Sequence, residues 1–168
     1  MATPRDNLAA YLRDAYAMEH QAIEILEKQA RRLEHYPELQ AKAREHLEQT
    51  RRQADRVREC LRRLGTDTSA VKTALGKVTG TVQQLTGLFV SDEVLKSALA
   101  DYAFEHYEAG AYRMLIAAAE EAGEPEVARV CEEILREEEA QADWLARHLP
   151  EAMRQFLRRD AAGQPAKR

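Results

Sequence analysis

Glu38 to Gly65 read ELQAKAREHLEQTRRQADRVRECLRRLG. Apolar or small residues fall at Ala43, Leu47, Thr50, Ala54, Val57, Leu61 and Leu64, in alternating steps of four and three. That spacing keeps one face of an α-helix against its neighbours, while the arginines and acids between them face water. Pro37 marks a break before the segment, because it cannot donate to a helix and strains the residue before it. Gly65 supplies a left-handed stop after Leu64. A helix of this length spans ~40 Å at ~1.5 Å per residue, the span of a bundle helix.

The same rhythm extends in both directions. Upstream, Leu8, Leu12, Ala15, Ala22, Leu26, Ala30 and Leu33 keep a helical period, with Asp6 as the expected N-cap. Downstream, Ala98, Tyr102, Glu105, Ala109, Tyr112, Ile116 and Ala119 form a third seam, ended by Gly123. Val127, Cys131, Ile134, Glu138, Gln141, Leu145 and His148 form a fourth. Ser91 is the expected cap of the third helix and Pro125 the expected first residue of the fourth. Pro150 is expected to interrupt the fourth helix, with a short helix over Glu151–Leu157 and a flexible tail over 160–168. Residues 70–90 read as a crossover holding a short amphipathic helix weakened by Gly76, Gly80 and Gly87. Short loop, long crossover and short loop give an all-α, antiparallel four-helix bundle of the ferritin type over residues 1–159.

Composition narrows the function classes. The chain has 168 residues, with 7 Gly and 5 Pro, too few for a sheet protein rich in turns. A net charge of −4 argues against nucleic acid as the main partner. No apolar run reaches the ~20 residues of a membrane span, and Met1 to Asn7 lack the apolar stretch of a signal peptide. The expectation is a soluble, cytoplasmic protein without nucleic-acid or membrane partners. Cys60 and Cys131 stand too far apart for a metal-type spacing and read as small buried hydrophobes. Arg51-Arg52 and Arg62-Arg63 are balanced by nearby acids and read as solvated helix faces.

Carboxylates inside the apolar stripes are the anomaly. Glu105, Glu138 and Glu19 all occupy seam positions. A buried carboxylate needs a cation, a proton or a hydrogen-bond donor. The bundle recipe for a two-metal carboxylate site takes one Glu from each of two helices and Glu-x-x-His from the other two. Helix one offers Glu19, helix two Glu48, helix three Glu105 with Glu108 one turn on, and helix four Glu138. Arg51 and Gln141 stand where the two imidazoles belong. A guanidinium cannot ligate a metal but can neutralise carboxylates, so salt bridges from Arg51 or Arg113 are the alternative to a metal. Glu48 lies one residue, ~100°, from the Leu47 seam position, which leaves a solvated face open for it. His20 and His106 each adjoin a candidate Glu and point elsewhere by the same rotation. His35 and His46 read as surface or helix-contact residues, and His148 as a C-terminal cap. Tyr16, Tyr102 and Tyr112 lie one turn from candidate acids, within reach of a hydrogen bond.

The strings Ala17-Met18-Glu19-His20-Gln21, His46-Leu47-Glu48-Gln49-Thr50, Glu105-His106-Tyr107-Glu108 and Arg136-Glu137-Glu138-Glu139-Ala140 resemble those of YciE/YciF-type ferritin-like proteins. The resemblance covers about residues 5–149 and is weakest in the crossover. It implies a bundle that is commonly dimeric and associated with bacterial stress responses. It also implies a di-iron centre at Glu19, Glu48, Glu105 and Glu138, with Glu108 as a fifth ligand. A second Glu one turn along the third helix is similar to rubrerythrin-like sites. Iron is the expected metal, with manganese or zinc as alternatives, and ferroxidase or peroxidase chemistry is the reaction type that such a centre would allow. The other reading is a non-enzymatic helical stress protein, also a homodimer, whose core acids are held by arginines.

Overall fold

The computed structural model describes residues 1–66 and 94–166. The described residues form α1 (Pro4–Arg32), α2 (Pro37–Arg63), α3 (Val94–Glu121) and α4 (Pro125–Ala161), with no strand among them. The expected crossover helix over 70–90 and the Ser91 cap lie outside the described residues.

Local chemistry sets the helix ends. Thr3, not Asp6, caps α1; Asp6 returns a hydrogen bond to the Thr3 backbone as the other half of a capping box. Pro37 and Pro125 are first-turn residues, where a missing N–H costs nothing. Gly65 and Gly123 close α2 and α3 at φ +72° and +68°, the left-handed geometry of a helix stop. The expected break at Pro150 does not occur: α4 runs through it to Ala161 as one helix. The segment beyond Pro150 is held by tertiary contacts. Ala152 and Phe156 pack beside Tyr36 and Leu39, and Gln155 donates to the His35 carbonyl at 3.0 Å. His148 is therefore mid-helix, stacked on Trp144 and 3.3 Å from Glu38, rather than a terminal cap. After Gly163 the chain turns back, and the Tyr36 hydroxyl donates to the Ala166 carbonyl at 2.6 Å.

Cross-helix pairs fix the directions. Glu27 meets Arg51, and Gln40 reaches Ala30, so α1 and α2 are antiparallel. Glu38–His148, Gln53–Glu137 and Arg63–Glu124 run antiparallel along α2 and α4. Glu19 meets Tyr112 while Arg5 meets Glu124, so α1 is antiparallel to α3. Hence α2 and α3 run parallel on one diagonal, which is the ferritin-type order that a long crossover requires. The core is divided. One apolar cluster spans Leu8 to Ala22, Val57 to Leu61, Phe104 to Ala119 and Val127 to Ile134. A second gathers Ala30, Leu33, Tyr36, Leu39, Ala43, Val94 and Ala152 at the other end. Buried acids interrupt the first cluster along its helices: Glu19 falls between Met18 and Ala22, and Glu105 and Glu108 between Phe104 and Tyr112. No helix among the described residues is long and apolar enough to cross a membrane.

Candidate metal centre

Each helix buries an acidic or imidazole group inside the bundle. Glu19 on α1, Glu105 and Glu108 on α3, and Glu138 on α4 are each at most 2% exposed. All four sit on the inner stripe of their helices, so the packing that buries Ala15, Ala109 and Ile134 buries them too.

Glu48 does not join them. Its carboxylate lies at the surface, paired with Arg51, which also reaches Glu27 at 2.8 Å. The α2 member of the centre is His46, 1% exposed, with Nε2 3.1 Å from Glu105 Oε1. Potential ligand atoms of His46, Glu105 and Glu138 lie within 4.8 Å of one another. The expectation that His46 is a surface or contact residue is thus corrected. It stands four residues before Thr50 and seven before Gln53, both also buried. The inner face of α2 therefore extends one residue to the side of the Leu47 seam. Reading the 46–50–53–57 row as a second inward line would have found it.

The expected arginine neutralisation is also absent at this point. Arg51 pairs with Glu48 and Glu27, and Arg113 pairs with Glu139 at the surface. Neutral donors fill part of the role. The Tyr112 hydroxyl donates to Glu19 Oε1. Gln53 Nε2 donates to Glu138 Oε1 and, at 2.9 Å, to Glu137 Oε2. Tyr16 and Tyr102 do neither; their rings pack edge-on against His20 and His106. Glu105 on α3 and Glu138 on α4 lie close enough to perturb each other, so the two acids act as a pair across helices.

Many lone pairs are left over. Glu19 Oε2, Glu105 Oε2, Glu108 Oε1, Glu138 Oε2, His46 Nδ1 and Gln141 Oε1 are buried without a hydrogen-bond partner. Four carboxylates in one dry volume cannot all ionise without a cation. Burial accordingly raises Glu105 to about 8, offset in part by the hydrogen bond from Glu138. Burial, then the neighbouring acids, push Glu108 and Glu138 well above the usual carboxylate range. Glu19 moves the same way, first by burial and then by Glu138, with the Tyr112 bond opposing. The ligand atoms that His46, Glu105 and Glu138 bring together, with their unfilled lone pairs, fit an ion that accepts oxygen and nitrogen ligands; Glu19 and Glu108 are buried in the same core but are not part of that close group. Asp101, which the seam reading passed over, lies one turn before Glu105. Burial raises it to about 7, against a hydrogen bond from Gln29.

The family described as "Domain of unknown function (DUF892)" matches residues 3–158. The chain belongs to the DUF892 family. Solved structures agree in fold with this assignment. A Xanthomonas campestris pv. campestris protein is 37% identical, with a TM-score of 0.79 over 95% of this chain and 99% of that one. YcfI of Rhodopseudomonas palustris is 29% identical, with a TM-score of 0.66 over 86% and 93%. The Escherichia coli stress protein YciF is 25% identical, with a TM-score of 0.70 over 89% and 96%. DUF892 thus joins this chain to the YciE/YciF-type proteins that its motifs resemble.

Proposed function

We propose that this DUF892 protein is a ferritin-like metal-binding protein, related in role to its stress-protein relative, that holds one or two iron ions in the bundle core. Glu19, His46, Glu105, Glu108 and Glu138 supply the ligands, with manganese or zinc as alternative ions. The observation that carries this reading is the buried group of His46, Glu105 and Glu138, whose potential ligand atoms lie within 4.8 Å of one another, with partnerless buried oxygens on Glu19, Glu105, Glu108 and Glu138. A bound iron pair would supply redox chemistry of the ferroxidase or peroxidase type. The chain's own groups prepare the site. Tyr112 orients Glu19 through Oε1, Gln53 orients Glu138 through Oε1, and the other oxygen of each acid faces the centre unpaired. Protons that burial keeps on Glu105 and Glu138 leave when a cation takes their place.

Metal analysis of protein purified without chelator tests this. The expected content is about one to two ions per chain, lost in Glu138→Ala and in His46→Ala. Wild-type protein that holds no metal after aerobic iron loading would sink the reading in favour of a structural bundle.

Homodimerisation belongs to the same proposal. Leu99, Tyr107 and Met114 lie exposed on the outer side of α3. A second copy would cover that stripe. Light scattering on a size-exclusion column is expected to give twice the chain mass of 19.1 kDa, and a monomer at high concentration would refute it.

A further inference from the structure

Between the centre and the second apolar cluster lies a small cavity bounded by all four helices. Gln29, Lys42, Asp101, Gln141 and Trp144 line it, together with aliphatic residues. At about 20 Å³ it has room for one water-sized species. Gln29 and Gln141 are 8% and 4% exposed, and the amide oxygen of each is buried with no partner. The Asp101 carboxyl, bonded to Gln29, adds a third oxygen donor. Three oxygens around a one-atom space suit a hard cation that is shedding its water.

Position gives the cavity a role. Asp101 is four residues before Glu105 and Gln141 is three after Glu138, which sets the cavity about one helical turn, ~5 Å, from the centre. Along α2 and α4, Gln53 and Arg56 both hold Glu137, beside an open surface pocket that Arg56 and Glu137 help to line. On the cavity side the amide oxygens of Gln29 and Gln141 are unbonded. Lys42 stands at the rim, its side chain 19% exposed, with Nζ 3.1 Å from Glu45 Oε1 and 5.7 Å from the Trp144 ring centroid.

We propose that this cavity is the transit site through which a divalent cation reaches the carboxylate centre, with Asp101 as its acidic donor and Lys42 as a positive gate at its rim. This rests on the metal-centre reading above. A residue on the path changes the rates of arrival and departure together and leaves the equilibrium nearly untouched, whereas a ligand of the centre changes affinity.

Stopped-flow mixing of metal-free, full-length protein with Co²⁺, followed by its visible absorption, separates the two. Asp101→Asn is expected to slow uptake by at least about tenfold, the low end of what focused charge contributes to an on-rate, with the final absorbance unchanged and Kd moved far less than the rate. Lys42→Gln is expected to take up Co²⁺ several-fold faster. An unchanged rate in folded Asp101→Asn overturns the transit role, and so does a loss of affinity as large as the loss of rate. Should Asp101→Asn not fold, Lys42→Gln decides: faster uptake supports the gate, and an equal or slower rate overturns it. Wild-type protein that binds no Co²⁺ removes the centre itself. Binding with the kinetics indifferent to both variants removes only the transit site.

Discussion

Tyr112 and Gln53 show how single side chains keep a charged cluster inside a helical bundle. Each is fully buried; Tyr112 donates to Glu19, and Gln53 donates to both Glu138 and Glu137. Tyr112→Phe leaves Glu19 Oε1 without its donor in a dry core. The expected cost to the metal-free protein is about 1–3 kcal/mol, read by urea denaturation, and no change would mean that the hydroxyl bond is not formed. Glu48 and His46 give the opposite lesson, because two positions separate the surface from the interior. Glu48→Gln removes only an exposed ion pair. It is expected to keep full metal content and to shift stability by less than about 1 kcal/mol, while His46→Ala empties the site. Metal lost from Glu48→Gln would return that residue to the ligand set. The two thiols take no part in this chemistry: burial raises Cys60 to about 11 and Cys131 to about 12, so both stay protonated at neutral pH.

The helices differ in how they stop. A Cβ added at Gly123 would meet nothing within 4 Å, so its requirement for glycine is the backbone angle of φ +68° alone. Gly123→Ala is therefore expected to lose about 1–2 kcal/mol, the left-handed penalty, in chemical denaturation; a neutral result would mean that the turn reshapes. Pro150 is the reverse case, a residue that should end a helix and does not. It lacks the N–H that would bond one turn back, yet Ala152, Gln155 and Phe156 dock beyond it on the α1–α2 end of the bundle. Packing outweighs a local penalty of about 3 kcal/mol. Pro150→Ala should raise the melting temperature with no loss of helix content, and a lower melting temperature would show that the proline sets a bend that the docking needs.

Across the molecule, the acid cluster ties stability to pH. Burial lifts Glu105 from 4.5 to about 8 and Asp101 from 3.8 to about 7, so the folded chain keeps protons that the unfolded chain has released. Groups raised in this way contribute fully below their unfolded values and lose that contribution as pH climbs through the folded ones. The melting temperature of metal-free protein is expected to fall between about pH 4.5 and 8. Metal-loaded protein should hold or gain over the same range, because binding releases the protons. A metal-free melting temperature that rises across that window would mean that these acids are solvated. The seam spacings of all four helices, the stops at Gly65 and Gly123, and the inward placement of Glu19, Glu105 and Glu138 were legible along the chain, whereas the α1 cap is Thr3 rather than the expected Asp6. Helical periodicity is a local property, and a stripe with a step of four and three announces its own buried face. Phase to within one residue is not local. Whether Leu47's left or right neighbour turns inward depends on how α2 is rotated against α4, so the exchange of Glu48 for His46 awaited the packed bundle. The same holds for Pro150, for Tyr112 against Glu19 and for the Asp101 cavity, each of which exists only because residues distant along the chain share a small volume.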